Sequence, residues 1–170
     1  MARVTHKIAM EEKGQRTARS TSVYLPKGGT KEAALCRKCG AFYLNKRWTV
    51  NAAEMKELKG ETGFTKIICP ACRRMEDGNP AGIVTLQGAY LVAHENEILD
   101  AIKHVEAKSR LKNPLGRIME ISQEKDTVTI ATTEDKLAQK LGREIYKAHK
   151  GELHYRWSHD QELVRVNWTR

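Results

Sequence analysis

From residue 81 onward, apolar and polar residues recur with two different periods, and the switches between them mark out the elements. "GIVTLQG" (82–88) alternates with period two and predicts a strand. "AHENEILDAIKHVEAKSR" (93–110) sets Ile98, Ile102 and Val105 on one stripe of a helix that "NPLG" (113–116) brings to an end. "RIMEIS" and "TVTIATT" then alternate around the turn "QEKD", the pattern of a hairpin. "TTEDKLAQKLGREIYKAHKG" carries a threonine cap, acids in its first turn, and Leu137, Leu141, Ile145 and Ala148 on one face, with lysines in the last turn before Gly151. "ELHYRWS" and "LVRVNW" alternate around "HDQE" and predict a second hairpin.

The order β-α-β-β-α-β with one extra terminal strand predicts a split βαβ (ferredoxin-like) domain over residues 81–170, both helices covering one face of an antiparallel sheet. Gly142 inside the second helix marks a close approach of helix and sheet. If Val128 and Ile130 point at the helices, then Thr127, Thr129 and Ala131 point outward, and so do His154, Arg156 and Ser158, opposite Leu153, Tyr155 and Trp157. The outward set is polar and lacks the paired aromatics on which an RNA-recognition sheet stacks bases. Tyr155, Trp157 and Trp168 are assigned to the core.

Before residue 80 the vocabulary is different. "CRKCGAFY" and "CPACRR" place Cys36, Cys39, Cys69 and Cys72 in two C-x2-C pairs separated by 29 residues, and no other cysteine occurs. A C-x2-C turn points two thiolates at one centre, and two such turns supply the four sulfurs that a closed tetrahedral zinc site takes. Gly40 and Pro70 suit the tight turns required. The spacer exceeds the commonest length and so holds structure of its own: "NAAEMKELKG", with Asn51 as cap and Glu54 three positions on, predicts a short helix before Gly60. Structural Zn2+ is the expectation for this 32–80 module. An iron–sulfur cluster or a redox dithiol are the alternatives, and the matched pairs favour metal. With four ligands in place no position remains for an activated water, so such a metal does structural work.

The 170 residues carry a formal net charge of +9, which favours a polyanionic partner by raising its encounter rate. The excess is uneven. Residues 1–31 hold seven Lys or Arg against Glu11 and Glu12, and with "GQRTARSTS" and "PKGGT" they predict a disordered basic arm in which Arg16, Arg19 and Lys27 reach for phosphates. Around the cysteines, Arg37, Lys38, Lys46, Arg47, Lys66, Arg73 and Arg74 form a second cationic group. A four-thiolate centre itself attracts some of that charge, though seven cations exceed such compensation. Phe42 and Tyr43 are expected to pack the module, while Trp48, directly after Lys46 and Arg47, is the surface candidate for stacking on a base.

Catalytic patterns are weak, so a binding protein is expected rather than an enzyme. "SHD" (158–160) puts triad letters in one turn, where a triad cannot assemble. "HENEI" (94–98) lacks the second histidine of a zinc protease motif, and "PKGGT" has no strand ahead of its glycines. The six histidines are scattered, with His94 and His149 placed for roles at helix ends. No apolar run of membrane-spanning length and no signal segment is present, so a soluble, cytoplasmic, monomeric protein with reduced thiols is expected.

"CRKCGAFY", then "CPACRR" followed by a strand, then "ATTEDKLAQKLGREIYKAHKGELHY", resemble in order and residue type the adaptor family that rides the large ribosomal subunit during nuclear export in eukaryotes. That family includes archaeal relatives and small bacterial zinc-ribbon proteins. The likeness spans roughly residues 35–157, and the stretch 131–157 carries most of its specificity. It implies ribosome or rRNA binding, with Cys36, Cys39, Cys69 and Cys72 as zinc ligands; the α/β domain is then expected to set the docking orientation by touching ribosomal proteins. The further cysteine pairs and the C-terminal transport region of the eukaryotic adaptor have no counterpart here. The resemblance therefore points to a bacterial-type factor in assembly, storage (hibernation) or translational control, with a zinc-ribbon protein-interaction adaptor as the alternative.

Overall fold

A computed structural model describes residues 22–25, 33–56, 63–158 and 161–170, with 10–13 and 57–59 described by backbone alone. It is an α+β structure with two mixed sheets and, among the described residues, four helices. In the N-terminal part, β2 (Ala34–Cys36), β3 (Phe42–Leu44), β4 (Arg47–Thr49) and β5 (Thr65–Ile67) form a small sheet in the order β4-β3-β2-β5. Helix α1 (Ala52–Lys59) lies between β4 and β5 in sequence, and α2 (Pro70–Glu76) follows β5. The expected cap of α1 is present: Asn51 Oδ1 accepts the Ala53 N–H at 3.0 Å, and Asn51 Nδ2 donates to Glu54 at 3.3 Å.

The larger sheet contains β1 (Met10–Lys13), β6 (Gly82–Gln87), β7 (Ile118–Glu124), β8 (Thr127–Thr132), β9 (Glu152–Trp157) and β10 (Val164–Thr169), with α3 (Ala89–Arg110) and α4 (Asp135–His149) between them in the chain. Its order is β1-β9-β10-β6-β8-β7. The element sequence matches expectation and the lateral order does not. In a split βαβ sheet the fourth strand lies beside the first, whereas here β10 occupies that place, antiparallel to β9 and parallel to β6. The sheet is therefore mixed rather than antiparallel. From this place between β9 and β6, β10 buries Val164, Val166 and Trp168 under the helices.

One continuous core joins sheet and helices. Val84, Leu86, Val128, Ile130, Leu153, Val166 and Trp168 meet Leu91, Ile98 and Ile102 of α3 and Leu137, Leu141 and Ile145 of α4. Gly142 is where α4 touches the sheet, since a Cβ there would sit 2.5 Å from Val166 Cγ1. Three local expectations need correction. Ala148 is exposed, and His149 takes the buried place, its Nδ1 3.2 Å from the Tyr90 hydroxyl. Glu134, in extended conformation, holds the cap position of α4, because Thr132 and Thr133 spend their hydroxyls on the Glu134 and Leu115 carbonyls. Helix α3 begins at Ala89, ahead of the expected start, and bends at His94.

The expected disordered arm falls mainly outside the described residues, and Arg16, Arg19 and Lys27 lie there. Two pieces of it are structured. Met10–Lys13 pairs in parallel with β9 from Leu153 to Arg156, at the sheet edge. Tyr24 is buried, its hydroxyl donating to Asp77 at 2.9 Å and accepting from Asn79 Nδ2 at 3.1 Å just beyond α2.

Candidate metal centre

Cys36 ends β2, and a tight turn brings Cys39 back beside it: the Cys36 N–H donates to the Ala41 carbonyl at 2.8 Å and the Gly40 N–H to the Cys36 carbonyl at 2.9 Å. Gly40 has φ +74°, so this turn asks for glycine even though there is open space around it. Strand β5 lies parallel to β2, and the Arg37 N–H donates to the Ile67 carbonyl at 2.9 Å, which delivers the second pair to the first. Cys69 caps α2, with Pro70 as first helical residue. Its Sγ accepts the Cys72 N–H at 3.4 Å, while its own N–H donates to Cys36 Sγ at 3.3 Å.

These turns gather four sulfurs. All Sγ atoms of Cys36, Cys39, Cys69 and Cys72 lie within 4.8 Å of one another, with Cys39–Cys69 at 3.6 Å and Cys36–Cys72 at 3.9 Å. A disulfide would require about 2.05 Å. None forms, and all four residues are free cysteines. A tetrahedral ion with bonds of about 2.3 Å to sulfur sets its ligands about 3.8 Å apart, so the cluster has the dimensions of a four-sulfur metal site. Three of the cysteines are buried and Cys39 is half-buried.

The thiols interact strongly. The hydrogen bond with Cys69 holds the Cys39 thiol well below its ordinary range, at about 4, and the same bond, with burial, pushes Cys69 up. Burial is the main cause that raises Cys72. An incoming cation that needs thiolates would therefore displace protons, chiefly from Cys69 and Cys72.

One cation at the cluster escaped the sequence reading. Arg117, at the entrance to β7, places Nη1 3.4 Å from Cys72 Sγ. No local signal marks it, because the contact spans 45 residues and arises only when the 113–117 loop packs against the cysteine module, where Leu115 joins that module's core.

The other expected contact residues separate into groups. Arg37, Lys46, Lys66 and Arg73 are exposed and have no acidic partner among the described residues. Lys38 pairs with Glu76, and Arg47 with Glu54 at 3.5 Å, both at exposed positions. Trp48 is not a surface platform: it is buried against Tyr43, ring centroids 5.3 Å apart, in the module's core. Arg74 is also withdrawn from the surface. Only 6% exposed, it donates to the Asn79 carbonyl at 3.1 Å, pairs with Glu162 at 3.0 Å and lies 4.3 Å over the Tyr24 ring. It thereby joins α2, the residue 22–25 segment and the β9–β10 loop.

A cleft of about 1300 Å³ runs between the cysteine module and the larger sheet's helical layer, with Lys46, Arg47, Arg73 and Lys112 among its walls. No family model matches the chain, and no curated protein matches it. No helix among the described residues is long and apolar enough to cross a membrane.

Proposed function

We propose that the four cysteines hold a structural zinc ion and that the module fixed by it binds ribosomal RNA, making the chain a cytoplasmic, ribosome-associated factor in assembly, storage or translational control. Sulfur spacings of 3.6 and 3.9 Å suit one ion inside the four ligands. A multi-iron cluster spreads its cysteines around several metals, and a redox dithiol needs one pair, whereas here two pairs converge. Filled coordination leaves the metal without a substrate position, so its work is to hold shape.

The observation that carries the RNA reading is the set Arg37, Lys46, Lys66 and Arg73: four exposed cations on one small module, without acidic partners among the described residues. Such charges gain most from phosphates, whose condensed counterions they release. The resemblance to ribosomal adaptor proteins supports rRNA as the source of those phosphates. Co-sedimentation with ribosomes over a salt series tests this. Binding should weaken steeply with salt, and the variant R37E/K46E/K66E/R73E should stay in the supernatant. Ribosome binding unchanged in that variant would refute the assignment, and a partner retained after nuclease treatment would favour a protein-interaction adaptor instead.

A further inference from the structure

The cysteine module and the larger sheet have separate cores. Among the described residues, Leu115 is the one apolar side chain from beyond residue 80 that packs against the module's core, and no residue of the module joins the core of the sheet. A junction with so little apolar contact leaves two units free to move unless polar ties hold them. Two such ties exist, and both end on α2. Arg117 Nη1 lies 3.4 Å from Cys72 Sγ, and Arg74 Nη2 pairs with Glu162 of the β9–β10 loop at 3.0 Å. Each tie is braced on the side of the sheet. The Arg117 N–H donates to Thr133 Oγ1 at 2.8 Å, the Thr133 N–H donates to the Arg117 carbonyl at 2.9 Å, and the Ile118 N–H donates to Glu106 of α3 at 2.7 Å. Beside Glu162, the Leu163 carbonyl accepts the Ser158 N–H at 2.9 Å and closes the loop.

Helix α2 depends on the cysteine cluster for its own place. It has seven residues, well under the length of about 12–15 below which an isolated helix is marginal. Cys69 is its cap and Cys72 lies in its first turn, so half of the four-sulfur cluster belongs to this helix. The chain from α2 to β6 (77–81) contains Gly78 at φ +59°, and its Asn79 carbonyl accepts from Arg74 Nη1 at 3.1 Å. We infer that an ion held by the four cysteines locks the module against the larger sheet through α2, and that without it the module swings about 77–81 while the sheet and its helices stay folded. The inference rests on the metal reading above and extends it from the shape of the module to the arrangement of the two units. Filling the site pins Cys69 and Cys72, and with them the helix that carries Arg74 to Glu162. It also sets net negative charge beside the Arg117 guanidinium, which strengthens that tie. The dependence is reciprocal: a module held against the sheet keeps its ion more tightly than one that swings free.

The test follows amide hydrogen exchange of the whole chain by mass spectrometry, zinc-loaded and after chelation, with zinc content measured on the same samples. Chelation should speed exchange on the order of tenfold or more at 113–117 and 161–163 as well as in the module, and leave β6, β8 and β10 protected. Thr133→Val and Glu162→Gln, both outside the ligand set, should loosen the junction with one zinc still bound: the first speeds exchange at 113–117, the second at 77–79. Each should also lower zinc affinity about fivefold in competition with a chromogenic chelator, an effect that a tie independent of the ion would not produce. Chelation that speeds exchange only within 33–76, or that strips protection from β6, β8 and β10 as well, would overturn this inference and leave the metal reading standing. Zinc affinity unchanged in both variants would overturn it too. A chain that takes up no zinc overturns both.

Discussion

Arg117 reaches Cys72 across 45 residues of sequence, its Nη1 3.4 Å from the sulfur, and so links the entrance of the larger sheet to the cysteine cluster. A four-thiolate zinc centre carries net negative charge, and a guanidinium held beside one sulfur offsets part of it. Arg117→Ala should therefore cost about 1.5–3 kcal/mol, the range of a hydrogen bond to a charged group. It should also speed metal loss to a chelator. Arg117→Lys should recover part of the second effect. Metal extraction kinetics and urea unfolding check the two separately, and an R117A protein that holds metal as well as wild type removes Arg117 from the centre.

Arg74 and its sequence neighbour Arg73 should behave differently. Arg74→Ala leaves Glu162 without its partner near the core and should destabilise the fold by about 3 kcal/mol. Arg74→Lys should restore little, since an ammonium cannot bond Asn79 and Glu162 together while stacking on Tyr24. Arg73→Glu, on the exposed side of α2, should leave stability nearly unchanged and weaken ribosome binding. Urea midpoints beside pelleting assays separate the two roles.

Gly142→Ala tests the helix–sheet contact. The added methyl meets Val166 Cγ1 at 2.5 Å and Leu153 Cδ1 at 3.2 Å, and relief needs α4 to move off the sheet. A loss of about 1–3 kcal/mol is expected despite the better helix propensity of alanine. Adding Val166→Ala should recover part of it in a double-mutant cycle. Additive effects would mean that the two positions do not touch.

Metal loading should depend on pH in one direction. Cys69 and Cys72 are pushed up and hold protons in the metal-free fold, so binding releases at least those two. Affinity should fall as pH drops and should go on rising beyond about 8.5, the ordinary thiol value, because both thiols are held above it. Titration of metal into the reduced chain in weak buffer reads proton release and affinity together, and pH-independent affinity would exclude thiolate ligation.

Much of the site was legible because its signals are local. Two C-x2-C pairs single out the four cysteines that could hold a metal ion, and Asn51 with Glu54 marks the start of α1 before any tertiary contact exists. Hairpins and helix stripes beyond residue 81 were equally readable, since alternation at Val128, Ile130, Val164 and Val166 reports burial directly. Alternation does not report neighbours. It says that Trp168 is inside, and leaves open whether β10 lies outside β9 or between β9 and β6. Burial of Arg74 was illegible for a related reason: arginine is mostly exposed, and only Glu162 and Tyr24, distant in sequence, make its burial affordable. Trp48 beside two cations looked like a surface residue, but its ring faces Tyr43 on the neighbouring strand, a contact set by register.

Metal content of the purified chain, measured together with its free thiols before and after chelation, bears most directly on the convergence of four sulfurs at one centre. One zinc per chain is expected, with all four thiols shielded from a thiol reagent until the chelator removes the ion and the 33–76 module loses its fixed shape and its ribosome capture. A metal-free chain with four reactive thiols, or one whose circular dichroism and ribosome binding ignore the chelator, would contradict the account.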